Sequence, residues 1–284
     1  MIHQRDNAPA SIFSAEWLRR RRMLSLASRR LRESSILRAS SRMLPAGGTE
    51  AVDVRDYAPG DDLRCVDWKL CARRDEILTR TFECRDNLPM AVLLDISRSM
   101  ADGQEGEGRR DGRPGAKFDL ARQLAGIAGC VTLETMTPFR LVPFSGGLCP
   151  GPPMLRGKWH TLRLLRFLER LAPNDSPTDL VVAVDAFARR GGPRGPVVVI
   201  SDLLDGQGFD RGLNALRHYG YEPRVVHLYA REDANPPRLG DVELVDRETG
   251  TRQRTVITEK AAARYRLLFA RFLADVAGYC QRRA

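Results

Sequence analysis

Long apolar runs are missing. No stretch approaches the roughly 18 consecutive apolar residues that a membrane span needs, so the sequence predicts no transmembrane helix. The start, Met1-Ile2-His3-Gln4-Arg5-Asp6, leads into polar sequence rather than the apolar core of a secretory leader. The simplest expectation is a cytoplasmic protein. Cys65, Cys71, Cys84, Cys130, Cys149 and Cys280 form no C-x-x-C pair and have no histidine-rich companion, which argues against a zinc site. His3, His160, His218 and His227 are the only imidazoles, and none lies in a recognisable catalytic motif. A G-x-S-x-G nucleophile elbow is absent, which sets that type of serine hydrolase aside. Gly112-Arg113-Pro114-Gly115-Ala116-Lys117 does not meet the G-x-x-x-x-G-K-[ST] spacing, which sets a Walker A nucleotide site aside.

Lysine is nearly absent too. Only Lys69, Lys117, Lys158 and Lys260 occur, so arginine carries most of the basic charge behind the net +10. A basic surface permits contact with nucleic acid, acidic lipid or an acidic protein, but it selects none of them. An apolar share of 43% with 29% charged residues is that of an ordinary soluble globular chain. The 284 residues suffice for one large α/β domain and a smaller one.

What is present centres on Met90-Ala91-Val92-Leu93-Leu94-Asp95-Ile96-Ser97-Arg98-Ser99-Met100. An apolar run ends in a carboxylate, and two hydroxyls follow at alternate positions. Such a run suits a strand buried on both faces. The oxygens then fall in the loop at its C-terminal end, where open α/β sheets bind ligands. One carboxylate and two hydroxyls are hard donors that suit Mg²⁺ or Mn²⁺. These residues alone do not separate a metal site from a Ser-rich turn capping the next helix.

Three regions are expected along the chain: a basic helical segment over 1–44, a small β-rich subdomain over 45–88, and an α/β domain over 89–284. Residues 1–14 read as a loose polar start, and 15–38 as an amphipathic helix with an arginine face. That face serves either packing or electrostatic docking, and aromatic interleaving for nucleic-acid stacking is nearly absent. In the second region, strands are predicted near 50–57 and 77–83 around the Pro59-Gly60-Asp61-Asp62 turn. Its acids, Asp56, Asp61, Asp62 and Asp67, alternate with arginines, which suits a second catalytic or metal cluster less well than paired charges and Asx turns.

From residue 89, strands alternate with helices, which implies a mostly parallel sheet covered on both faces. Strands are expected at 90–95, 139–144, 196–202 and 224–229, and helices at 117–136, 160–171, 180–188, 209–219 and 259–280. The first helix should turn Phe118, Leu120, Ala121, Leu124, Ile127, Ala128, Val131 and Leu133 inward, and the last Ala263, Leu267, Phe269, Phe272 and Val276. Residues 101–115 read as a flexible glycine-rich loop, and 239–257 as a hairpin near the sheet edge. Thr178 and Asp179 suit the N-terminus of the helix at 180 as caps. Pro196-Val197-Val198-Val199-Ile200-Ser201-Asp202 again runs β-branched residues into a carboxylate, and His227 reads as a core histidine.

Asp95-x-Ser97-x-Ser99, Thr178 and Asp202 together resemble the metal-ion-dependent adhesion site of von Willebrand factor A-like domains. In that family the D-x-S-x-S loop follows the first strand, the threonine lies on a second loop, and the last aspartate follows the fourth strand. Upstream, Arg55-Asp56-Tyr57-Ala58-Pro59-Gly60-Asp61-Asp62-Leu63-Arg64, Val66-Asp67-Trp68, Ala72-Arg73 and Phe82-Glu83 resemble the signature of the domain of unknown function 58 family. Gly220-Tyr221-Glu222-Pro223, Leu244-Val245-Asp246 and Glu248-Thr249-Gly250 extend that resemblance over about residues 45–280. The chain departs from the family in the longer, glycine-richer loop 101–115, in Ala51 where phenylalanine is common, and in ending at Ala284.

The resemblance implies a doubly wound, von Willebrand A-like α/β fold with a small β-rich N-terminal subdomain. It implies Mg²⁺ or Mn²⁺ held directly by Ser97 and Ser99, joined by Thr178 when a ligand is bound, with Asp95 and Asp202 acting through waters or hydrogen bonds. The function it implies is non-catalytic: an adaptor that captures an acidic side chain of a partner protein, with a MoxR-type AAA+ ATPase as the expected partner and protein complex assembly or remodelling as the role. A Mg²⁺-dependent phosphatase is the enzymatic alternative, although the haloacid-dehalogenase pattern wants an aspartate at Ser97. A nucleic-acid-binding module is motivated by charge alone and lacks the usual fold signatures.

Overall fold

Alternating side chains build the first sheet. In the computed structural model of the chain, the residues described are 12–14, 17, 19, 43–44, 50–59, 63, 66–74, 76–83, 88–101, 116–235, 239–245 and 251–283. Those from 43 to 83 make one compact unit; those up to 19, with those from 88 onward, make another. In the smaller unit, β1 (Met43–Leu44), β2 (Glu50–Asp56) and β3 (Leu78–Glu83) form an antiparallel sheet in the order β1-β3-β2. The register of β2 on β3 slips between Ala51 and Asp53. Between β2 and β3 lies α1 (Trp68–Arg74), a helix that the sequence reading missed. Asp67 starts it, accepting from the Leu70 amide at 3.2 Å, while its own amide bonds the Leu78 carbonyl at 2.9 Å. The basic helix expected over 15–38 lies, apart from residues 17 and 19, outside the described residues, as do Asp61, Asp62, Arg64 and 102–115.

The larger unit runs β4 (Met90–Asp95), α2 (Ala116–Glu134), β5 (Phe139–Phe144), α3 (Thr161–Arg170), α4 (Leu180–Arg189), β6 (Pro196–Ser201), α5 (Phe209–His218), β7 (Glu222–His227), α6 (Arg231–Ala234), β8 (Gly240–Val245), β9 (Arg252–Ile257) and α7 (Glu259–Arg282). Strands β5-β4-β6-β7 form a parallel sheet in that order. Side chains on a strand alternate between faces, and β4 divides accordingly. Val92 and Leu94 join Phe118, Ala121, Leu164 and Leu168 of α2 and α3 on one face. Ala91 and Leu93 join Leu180, Ala183, Leu213 and Leu216 of α4 and α5 on the other. Apolar burial on both faces is why β4 reads as an unbroken hydrophobic run.

Gly129 lets α2 sit down on this sheet. A Cβ there would lie 2.8 Å from the Phe139 ring and would overlap Leu164. Phe13 and Trp17, edge to face at 4.6 Å, are buried in the same cluster, so residues 12–14, the described end of the expected loose start, are anchored there. Leu120, expected inward, is exposed, because the buried stripe of α2 runs through Phe118, Ala121, Ala125, Cys130 and Leu133. In α7 the buried positions are Ala262 and Val276, while Ala263 and Leu267 face out. Strands β8 and β9 pair with each other as a separate two-stranded sheet, not on the edge of the main one. Leu155 reaches β5 only as an isolated antiparallel bridge to Phe139, so Asp202 follows the third strand of the parallel sheet. No described helix is long and apolar enough to cross a membrane.

Candidate metal centre

The order β5-β4-β6 means that the chain leaves β4 for one side of the sheet and later returns on the other. Such a switch point opens a crevice at the C-terminal ends of the strands. Asp95 is the last residue of β4, and Asp202 directly follows β6. Both are buried, and Asp95 has no exposed surface. Ser97 and Ser99 follow in the short 3₁₀ turn region after β4, with their hydroxyl oxygens 3.0 Å apart.

Backbone bonds bring the third component in. The Asn174 amide donates to the Ile96 carbonyl at 2.6 Å, and the Arg98 amide to the Ser176 carbonyl at 3.4 Å. The Asp179 amide donates to the Ser145 carbonyl at 3.0 Å. The first two bonds hold the loop before α4 against the loop after β4, the third holds it against the residue after β5, and Thr178 lies on this loop. Asp179, not Thr178, caps α4, accepting from the Val182 amide at 2.9 Å. Thr178 is buried, and its hydroxyl has no hydrogen-bond partner. A buried, unsatisfied hydroxyl costs free energy, and such an orphan calls for a ligand or ion.

The carboxylates are tied differently. Asp95 accepts from the Ser97 amide at 2.9 Å through Oδ1 and from the Ser201 hydroxyl at 2.5 Å through Oδ2. Burial, and then the charge of Asp202, push the Asp95 carboxyl up to about 6, against the bonds from Ser201 and Ser97. Asp202 accepts from the Lys117 ammonium at 2.9 Å through Oδ2 and from the Leu204 amide at 3.2 Å through Oδ1. Lys117 also reaches Asp233 of α6 at 3.3 Å. Burial disfavours its charge, but attraction to Asp202 and Asp233 outweighs this and raises its pKa. Leu203, between these contacts, holds a left-handed φ of 56°, a strained conformation for a leucine.

Lys117, Ser201 and Asp233 were not singled out by the sequence reading, which also left His227 away from the site. The His227 ring lies 3.0 Å from the Asp202 carbonyl through Nε2, and burial lowers its pKa. It is half-buried against Phe272 and Tyr229 rather than enclosed in the core. One signal for Lys117 was available: a lysine in the first turn of a helix opposes the macrodipole. In a chain with so few lysines, that placement points to a specific carboxylate.

The donor set fits a small divalent cation. Two neighbouring hydroxyls and the orphan Thr178 hydroxyl are uncharged hard donors, and Asp95 and Asp202 carry more negative charge than Lys117 balances. Among the described residues no group of three or more His, Cys, Asp or Glu side chains is placed to hold a metal by itself. Any ion here would therefore depend on the hydroxyls.

Uncharacterized proteins of Mycobacterium tuberculosis and Mycobacterium bovis are 31% identical to the chain over 214 residues, covering 73% of it and 63% of each relative. The chain thus spans less than two thirds of the length of these relatives. An uncharacterized Mycobacterium avium protein is 35% identical over 130 residues, covering 42% of the chain and 75% of that protein. Among solved structures, BatB from Bacteroides thetaiotaomicron is 20% identical, with a TM-score of 0.42 over 63% of this chain and 84% of that one. An aerotolerance-related membrane protein from Bacteroides fragilis is 18% identical, with a TM-score of 0.41 over 63% and 86%. The family described as protein of unknown function DUF58 matches residues 53–275, and the chain belongs to it.

Proposed function

We propose that the chain is a cytoplasmic, non-catalytic adaptor that captures an acidic side chain of a partner protein through a divalent cation. The observation that carries this reading is Thr178: a buried hydroxyl with no partner, on a loop bonded to the one that presents Ser97 and Ser99. The parallel sheet, its helices on both faces and the crevice between β4 and β6 support a von Willebrand A-like fold with an adhesion-type metal site.

In this reading Ser97 and Ser99 would hold Mg²⁺ or Mn²⁺ directly, joined by Thr178 once a partner carboxylate is bound. Asp95 and Asp202 act from behind, because the chain's own donors already occupy their oxygens. When bound, the cation supplies an electron-poor open position that a carboxylate of the partner can fill. The chain's part is to orient the hydroxyls and bury the counter-charge; no bond is broken. Ser97 and Ser99 serve in this reading as ligands rather than as nucleophiles. A MoxR-type AAA+ ATPase is the partner class that the family resemblance favours.

Calorimetric titration of Mg²⁺ or Mn²⁺ into the wild type and Asp95→Ala tests the reading, together with capture of the ATPase with and without chelator. Loss of metal binding and of capture in a folded Asp95→Ala protein is expected. Equal metal binding by the two proteins would remove Asp95 from the site.

A further inference from the structure

The metal reading leaves one buried charge unused. The Lys117 side chain is 3% exposed, and its ammonium lies 2.9 Å from Asp202 Oδ2 and 3.3 Å from Asp233 Oδ2. Asp233 Oδ2 is itself fixed, accepting from the Ala230 amide at 2.8 Å. One ammonium on α2 thus ties the loop after β6 to α6, the short helix after β7. It sits within the first turn of its helix, where the macrodipole opposes a cation, so the two carboxylates must hold it there. Both Asp202 oxygens are held in this arrangement, Oδ2 by Lys117 and Oδ1 by the Leu204 amide, so the carboxylate is fixed in orientation.

Resting on the metal reading, we propose that Lys117 is a built-in competing cation: it neutralises Asp202, with Asp233 as its second anchor, and keeps the site weak for metal until a partner's carboxylate arrives. Two effects act in the same direction. The ammonium repels a divalent ion, and it holds the Asp202 carboxylate that would otherwise be free to turn toward that ion. A carboxylate from a partner restores the missing negative charge at the open position. Metal and partner then bind together more tightly than either binds alone, which is reciprocal coupling between two ligands of one site. Lys117 is a positioning residue in this scheme, acting through Asp202 and not on the partner.

The test is calorimetric titration of Mn²⁺ alone into the full chain and into Lys117→Gln, which retains N–H donors for both aspartates but lacks the charge. The variant is expected to bind Mn²⁺ at least tenfold more tightly than the wild type. Lys117→Arg, which retains the charge, should stay within threefold of the wild type. Equal or weaker binding by Lys117→Gln overturns the role of Lys117, and so does an arginine variant that binds as tightly as the glutamine one. A glutamine variant that folds only with Mn²⁺ supports the proposal, since the ion then replaces the ammonium. One that stays unfolded in millimolar Mn²⁺ overturns it. Binding by neither the wild type nor Lys117→Gln removes the metal reading itself, whereas binding by the wild type without gain in the variant removes only the inference.

Discussion

Ser201, the last residue of β6, donates its hydroxyl to Asp95 at the end of β4 over 2.5 Å, with both side chains buried. The bond joins the two strand ends that flank the crevice. Its neighbour Asp202 carries the second carboxylate, so the same dipeptide both bonds Asp95 and raises its pKa. Ser201 Oγ also accepts from the Leu203 amide at 2.9 Å, at the residue with left-handed φ.

Ser201→Ala should therefore do more than delete a hydrogen bond. It leaves one oxygen of a buried carboxylate without its donor, which costs about 1–3 kcal/mol. Since the Ser201 bond lowers the Asp95 pKa, its loss should also move that carboxyl further up. Urea unfolding at pH 7, with carbon-13 NMR of the Asp95 carboxyl, measures both effects. Unchanged stability and titration would show that the bond is not held in solution.

The raised pKa of Asp95 fixes the sign of a pH effect on the metal-free protein. Folded Asp95 binds its proton up to about pH 6, whereas the ordinary value is 3.8, so between these limits the folded state carries more proton. Stability contributed by this group is then present below pH 3.8 and is lost as pH rises through 6. The rise from 3.8 to about 6 corresponds to about 3 kcal/mol. Stability of the wild type relative to Asp95→Asn should fall by that order between pH 4 and 7. A flat difference across the range would contradict the buried, charge-coupled environment.

Much of this architecture was legible beforehand because it rests on short-range pattern. The run from Met90 to Leu94 marks a strand buried on both faces, and the regular alternation after it fits the parallel sheet. Asp95, Ser97 and Ser99 are close in sequence, so their grouping at one strand end could be anticipated. What could not be read were contacts made across the fold. Lys117 and Asp233 meet over 116 positions, and their partnership leaves no periodic trace. Helix α1 was missed because its residues, which include no buried side chain, carry no apolar stripe. The hairpin β8-β9 was recognised by alternation, but alternation does not say which sheet a hairpin joins.

Gly129 gives a test of the packing beneath the site. Glycine is unfavourable inside a helix by about 1 kcal/mol relative to alanine, so Gly129→Ala would be stabilising on a free helix surface. Here the new methyl would meet the Phe139 ring at 2.8 Å and overlap Leu164, and overpacking of this kind costs about 1–3 kcal/mol. Net destabilisation is expected in thermal unfolding. A stabilised variant would mean that α2 stands further from β5 and α3 than described.

Thr178→Val separates the functional hydroxyl from the fold. Valine matches threonine in shape, and the Thr178 hydroxyl has no partner to lose. Removing an unsatisfied buried polar group should leave the metal-free protein as stable as the wild type or more stable by about 1 kcal/mol. If that hydroxyl joins the ion when a partner carboxylate binds, the same change should weaken partner capture in Mn²⁺ about tenfold or more, with little effect on Mn²⁺ binding alone. Melting without metal and a Mn²⁺-dependent pulldown separate the two effects. Destabilisation of the metal-free protein would mean that the hydroxyl already has a bonding role within the fold. Undiminished capture would take Thr178 out of the ligand set and leave the site to Ser97 and Ser99.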